Sequence, residues 1–313
     1  MKTNHAFCGL LAGLLLAAAT TAQTHAGLYL PAVPGAALYV QINASTAPTI
    51  VEFTTGGVGS VFAYTGSNAA NGARGVAFDL VGNLYVAYSN GNTIEKITPA
   101  GVGTVFASTG LNGPFCLAFD SAGSLYAANR LDNTIEKFTP GGVGSLFASS
   151  GLSGPKGLAF DSAGNLFVAN GVGNTIEEFT PGGVGSLFAS SGLNSPEDLA
   201  FDSAGNLYAS NFNGSTIEKY TPGGTGSVFV STGLNGPFGL AFDSAGNLFV
   251  GDAGNHSIDK FTPGGIRSVF ASVNSSNLPG FLAFGPTAVP EPGTALFGLA
   301  CVGLAASRRR RSA

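Results

Sequence analysis

The chain has 313 residues and a formal net charge of −4, with 48 Gly, 24 Phe, no Trp and only 10% charged residues. Glycine is about twice, and charge less than half, of an average domain's share. So many aromatics and so few charges exclude intrinsic disorder, three cysteines exclude a dense disulfide framework, and no basic patch outside the C-terminus speaks for nucleic acid. Such a composition suits an all-β repeat protein, so internal repeats are the first thing to seek.

Residues 1–26 read as a secretory signal peptide. Lys2 supplies the positive start, Leu10–Ala19 the apolar run, and Thr24-His25-Ala26 or Thr20-Thr21-Ala22 a small-residue cleavage site. The run is short for a membrane span. Cys8 precedes it, which disfavours a lipoprotein site. Residues 27–37 form a lead-in.

From residue 38 to 287 one unit dominates. The tetrad Leu/Val-Ala-Phe-Asp places Phe at 78, 119, 160, 201 and 242, a step of 41 residues, and a sixth copy, Leu282-Ala283-Phe284, ends in Gly285. In the unit that starts at Gly157, four strands are predicted: a (Leu158–Asp161), b (Asn165–Asn170), c (Thr175–Thr180) and d (Ser186–Ser190). Asp161-Ser-Ala-Gly164-Asn165 turns a into b, and Thr180-Pro-Gly-Gly183 turns c into d. Four short strands per unit of about 40 residues describe a propeller blade. The first unit, at Leu38-Tyr39-Val40, lacks strand a, and the chain ends with a spare one. Pairing them removes open sheet edges. The prediction is an all-β, six-bladed β-propeller of 24 strands in four-stranded antiparallel blades, closed by the C-terminal strand on the N-terminal blade.

The unit resembles the NHL repeat, most closely in FDSAGNLFVGDAGNHSIDKF (Phe242–Phe261). That resemblance covers about residues 38–285 and implies architecture rather than activity. Gluconolactonase-like and virginiamycin B lyase-like propellers look similar, so function must be argued from the site. Within the repeat, the Phe series is expected to wedge between blades, each burial worth roughly 1.5–3 kcal/mol. Asp79, Asp120, Asp161, Asp202 and Asp243 read as turn-capping residues. The Glu-Lys pairs of strand c, such as Glu136-Lys137, read as solvated or paired across outer strands.

Comparison of the blades separates two faces. The a–b and c–d turns are nearly uniform. On the other face, the position after the strand-a proline or its equivalent is Arg74, Phe115, Lys156, Glu197, Phe238 and Gly280, and the next residue is usually Gly but Cys116 or Asp198 in two blades. The b–c loops there add Arg130, Asp132, Phe212, Asp252 and His256. Variable loops on a rigid scaffold are where binding usually sits. The reading is a binding or structural module, for a protein or an exopolysaccharide, with no cofactor. The Phe side chains would stack on sugar, and Arg74, Arg130 and Lys156 would meet acidic groups. The alternative, implied by the resemblance to gluconolactonase-like and virginiamycin B lyase-like propellers, is a metal-dependent hydrolase or lyase. The divalent metal that gluconolactonase-like propellers hold at the channel mouth would find oxygen ligands in Glu197, Asp198 and Asp252 with Asn129, Asn170 or Asn211. No Walker, dinucleotide or nucleophile-elbow motif supports another chemistry.

Residues 288–313 close the chain. Pro290-Glu291-Pro292 is followed by the apolar stretch Gly293–Ala306 and by Arg308, Arg309, Arg310 and Arg311. This order and spacing resemble the PEP-CTERM sorting signal of bacteria that produce exopolysaccharide. It implies an exosortase as partner, membrane insertion of the tail before processing, and arginines held on the cytoplasmic side. The domain is then exported to the envelope, cell surface or matrix, as an expected monomer. Without both ends, residues 27–288 hold 8 basic and 16 acidic side chains, a formal charge of −8.

Overall fold

The computed structural model describes residues 36–44, 49–64, 72–274 and 277–285. The expected signal peptide (1–26), most of the lead-in and the sorting tail (288–313) lie outside them. Blade 1 contains β1 (Leu38–Ala44), β2 (Thr49–Phe53) and β3 (Gly59–Tyr64), and blade 2 contains β4 (Ala73–Phe78), β5 (Leu84–Tyr88), β6 (Thr93–Ile97) and β7 (Gly103–Ala107). Blade 3 follows with β8 (Pro114–Phe119), β9 (Leu125–Asn129), β10 (Thr134–Phe138) and β11 (Gly144–Ala148), and blade 4 with β12 (Pro155–Phe160), β13 (Leu166–Asn170), β14 (Thr175–Phe179) and β15 (Gly185–Ala189). Blade 5 is β16 (Pro196–Phe201), β17 (Leu207–Asn211), β18 (Thr216–Tyr220) and β19 (Gly226–Val230), and blade 6 is β20 (Pro237–Phe242), β21 (Leu248–Asp252), β22 (Ser257–Phe261) and β23 (Arg267–Ser272). The last strand, β24 (Asn277–Phe284), returns to blade 1, whose sheet order is β24-β1-β2-β3. The closure expected from the strand count is therefore the one observed. Phe284 stands opposite Leu38 and Leu282 opposite Val40, and the Gly285 amide donates to the Ala37 carbonyl at 3.0 Å.

The core lies between blades and is aromatic. At the interface of blades 4 and 5, Phe201 of strand a meets Phe167 of the preceding strand b at 5.1 Å, and Phe167 meets Phe188 of strand d at 4.9 Å. Phe188 continues to Tyr220 of the next blade's strand c at 6.1 Å. The a–b–d part of this chain recurs at all six interfaces, including the closing one through Phe284, Phe249 and Phe270. Edge-to-face pairs of this kind add about 0.5–1.5 kcal/mol each beyond area burial.

The a–b turns behave as expected. Asp161 Oδ1 accepts the amides of Ala163 and Asn165 at 2.9 and 2.8 Å, and Gly164 takes φ +85° to close the turn. The lysines of strand c correct the sequence reading. Lys96, Lys137, Lys219 and Lys260 reach inward across the strand-b ring to Asp79, Asp120, Asp202 and Asp243, at 3.8, 3.2, 3.5 and 3.6 Å. Register explains it, because each lysine stands opposite a strand-b aromatic, as Lys137 does opposite Tyr126. Its ammonium lies 4.9 Å from that ring's centre.

Around the axis, strand a carries a bulge. Pro155 pairs with Asn170 and Leu158 with Val168, so Lys156 and Gly157 share one opposing residue. The second bulge residue alternates Gly75, Cys116, Gly157, Asp198, Gly239, Phe281 around the ring. Packing dictates the glycines. A Cβ on Gly157 would lie 2.6 Å from Asp198 Cα, and one on Gly239 2.7 Å from Phe281 Cα. Towards the a–b face the channel opens into an apolar funnel of about 240 Å³, lined by the repeated Ala and Phe of all six strand-a copies.

Candidate functional site

At the opposite mouth the bulge lifts the first bulge residue out of the ladder and aims it at the axis. Three phenylalanines plug the channel there. Phe115, Phe238 and Phe281 have centroids 6.0, 5.6 and 5.2 Å apart, and Phe212 stands edge-on to Phe238 at 6.2 Å. Three cations gather on Phe115, with Arg74, Arg130 and Lys156 at 5.4, 5.7 and 5.8 Å from its centre. Such contacts are worth about 0.5–2 kcal/mol each, more where water is excluded.

The charges are unequally matched. Lys156 pairs with Glu197, and both are buried. Ser195 Oγ also donates to Glu197 Oε1 at 3.4 Å. Burial raises the Glu197 carboxyl's pKa, and the Lys156 charge pulls it back. Burial lowers that of the Arg74 guanidinium, opposed by Glu197 and reinforced by Arg130. Neither Arg74 nor Arg130 has a carboxylate partner among the described residues. Two buried atoms at this mouth, Arg74 Nε and Glu197 Oε2, have no hydrogen-bond partner. Unpaired buried polar groups are costly, so each calls for an explanation.

The remaining sequence candidates lie elsewhere. Asp198 is in the channel wall below the mouth, where Oδ1 accepts the Leu199 amide and Oδ2 the Leu240 amide, each at 2.9 Å. Burial pushes its pKa up to about 7, against those two amides. Asp252 is fully buried and faces blade 6. It accepts the Asn235 amide at 2.8 Å and Asn255 Nδ2 at 2.7 Å, with Arg267 and Asp259 alongside. It occupies the place of Asn129, Asn170 and Asn211, whose amides are engaged with the incoming d–a loops. Asn170, for instance, accepts the Ser153 amide at 2.9 Å and donates to the Gly151 carbonyl at 2.9 Å. His256 adopts φ +55° and its Nδ1 lies 2.9 Å from the Asn277 carbonyl, tying blade 6 to the closing strand. Asp132 is exposed and accepts Thr134 Oγ1 at 2.9 Å. Glu197, Asp198 and Asp252 therefore do not converge, and among the described residues no three His, Cys, Asp or Glu group as metal ligands. Cys116 is buried, and burial with the Asp198 charge raises its thiol pKa well above the usual value. Sequence reading missed Phe281, having placed Gly280 at the sixth mouth position. The alternation of Gly with larger residues one position further on was the available signal.

The PEP-CTERM protein-sorting motif matches residues 288–311. Among solved structures, a chain of the nidogen/laminin complex is similar with a TM-score of 0.70 and 19% identity, over 79% of this chain and 97% of that one. A streptogramin B lyase follows with 0.59 and 17%, over 77% and 75%. A virginiamycin B lyase from Staphylococcus aureus has 0.60 and 20%, over 69% and 75%. No curated protein matches the chain in sequence. Among the described residues no helix is long and apolar enough to cross a membrane, and the tail expected to do so lies outside them. The sorting motif marks an exported protein, processed by an exosortase and destined for the cell envelope or surface. The chain is thus a six-bladed β-propeller that carries a C-terminal PEP-CTERM protein-sorting motif.

Proposed function

We propose that the propeller is a non-enzymatic binding module of the cell surface or extracellular matrix that holds an acidic exopolysaccharide at the b–c/d–a face. The observation that carries this reading is the cluster of Arg74, Arg130 and Lys156 over the Phe115 ring, in which neither arginine has a carboxylate partner among the described residues. A uronate-type sugar fits that chemistry. Its carboxylate takes the planar guanidinium forks of Arg74 and Arg130, and its apolar ring face stacks on Phe238 and Phe212. The domain's charge of −8 leaves this mouth as a local cationic focus, which favours capture of a polyanion there over indiscriminate adhesion. In the same reading, residues 293–306 enter the inner membrane until processing, with Arg308–Arg311 retained on the cytoplasmic side.

The lyase or hydrolase alternative rests on likeness of fold. One similar structure is a catalytically inactive variant of the S. aureus lyase, bound to quinupristin, in which a histidine is replaced by alanine. Here the one described histidine, His256, serves the closing strand, and the carboxylates of Asp198 and Asp252 are held by backbone amides. Retention of the protein on acidic and neutral polysaccharides tests the binding reading. Retention is expected on the acidic polymer only, weakened about tenfold by Arg74→Gln or Arg130→Gln and lost at high salt. Equal retention on both polymers, or turnover in a lactonase and lyase panel that requires bound divalent metal, overturns it.

A further inference from the structure

Both ends of the propeller leave from the same face. Strand a of blade 1 runs down the channel to Phe284 at the funnel, and β1 starts beside it, with Gly285 donating to Ala37. Only residues 286–292 separate Gly285 from the apolar stretch that starts at Gly293. The eight Cα steps from Gly285 to Gly293 reach at most about 29 Å. To bring the opposite face to a membrane, this tether would have to cross a blade's width, about 14 Å for strands about 4.8 Å apart, and then a strand's height, about 17 Å. It is too short. The tether therefore selects the a–b/c–d face.

That face is built for the encounter. Among the described residues, 13 of the 17 exposed large apolar side chains lie on its turns or on the adjoining half of the outer strands. The c–d hairpin tips place Val58, Val102, Val143, Val184 and Ile266 in a collar, each between 59% and 72% exposed, with Thr225 at the sixth tip. Leu80 and Val81 add to it on the a–b turn of blade 2. Between collar and funnel, four Lys–Asp pairs cancel one another's charge. The geometry points to a fixed orientation of the tail-anchored protein: the aliphatic collar seats in the headgroup boundary of the bilayer that the tail enters, and the charged mouth faces away. Apolar faces that lie on membranes bury about 5–10 Å in this way. The orientation rests on the membrane reading of the tail, and the test separates the two.

The chain contains no Trp, so a single introduced indole reports its own surroundings. Full-length Val143→Trp and Val184→Trp probe the collar, and Leu131→Trp, on an exposed b–c loop, probes the other face. Each is reconstituted into phosphatidylcholine–phosphatidylglycerol vesicles with brominated acyl chains. The expected result is flotation of all three, with emission blue-shifted and quenched at least twofold at 143 and 184 and unchanged at 131. Val143→Asp with Val184→Asp should relieve quenching of Ile266→Trp. Flotation with equal quenching on both faces, or none at the collar, overturns the orientation while leaving the tail reading intact. A blue shift without quenching shows a second copy covering the collar and also overturns it. A chain that does not float removes the tail reading, and the orientation with it.

Discussion

On the a–b/c–d face, Asp79, Asp120, Asp161, Asp202 and Asp243 all cap the same turn with the same backbone bonds. On the opposite face, the residue after the strand-a proline or its equivalent is Arg, Phe, Lys, Glu, Phe or Gly in successive blades. Both sets come from one repeat, so the difference lies in what each position must satisfy. A turn capped by a carboxylate has one geometry, and its residues also dock the next blade. The bulge at the other end frees its first residue from the ladder, so strand pairing does not dictate the side chain there. Where the scaffold asks least, the sequence varies most.

The contrast can be broken most directly by making one change on each side. Phe167→Ala removes a buried ring packed against Phe188 and Phe201, and should cost about 3–5 kcal/mol. Phe212→Ala, on the differentiated face and 38% exposed, should cost about 1 kcal/mol or less while weakening glycan retention. Urea melts of the two variants check this, and comparable losses would erase the distinction. Acid–base behaviour comes next. Asp198 has its folded pKa raised to about 7, against about 3.9 when unfolded. Between those values the folded state holds the extra proton, so its contribution is present below pH 4 and is lost as pH rises through 7, on the order of a few kcal/mol. Burial raises Glu136, Glu177, Glu197 and Glu218 in the same direction. Stability measured at pH 5 and pH 8 should therefore fall with pH, and Asp198→Asn should flatten part of that slope.

Blade number, strand order and ring closure were legible because they follow from a period of 41 residues and from a missing and a spare strand a. The turn role of Asp161 was legible because it is local, completed within four residues. The mouth was legible only by position along the chain. His256 lies in a b–c loop as Arg130 does, and Asp252 is the last residue of β21, yet Asp252 turns into its own blade to hold Asn235, and His256 turns towards β24. Which way a loop side chain turns depends on partners 17 and 21 residues away. The pairing of Lys156 with Glu197 spans 41 residues, one full blade, so no local pattern announces it.

Gly157→Ala sharpens the same point at the channel. Its Cβ would meet Asp198 Cα at 2.6 Å and the Glu197 carbonyl at 3.0 Å, backbone atoms that cannot swing aside. A loss of about 1–3 kcal/mol is expected, together with weaker ligand retention because Glu197 must shift. Thermal unfolding and glycan retention measured on one sample decide whether the two effects travel together.

The smallest effect tests the uniform face by repairing its exception. In blade 4 the strand-c lysine is replaced by Glu178, opposite Phe167 and close enough to Asp161 to feel its charge. Burial raises the Glu178 carboxyl's pKa, and the Asp161 charge adds to it. Blade 1 also lacks the lysine, but there Gly285 replaces the aspartate and Glu52 accepts the Tyr39 hydroxyl at 3.0 Å, so no like charges face each other. Glu178→Lys should remove the repulsion, add a pair with Asp161 and place an ammonium over Phe167. A gain of about 1 kcal/mol is expected, shrinking in high salt. Glu178→Gln relieves only the repulsion and should recover a smaller part of it. If lysine stabilises no more than glutamine, the inward Lys–Asp pair contributes nothing to the repeat, and the uniformity of that face must come from its turns alone.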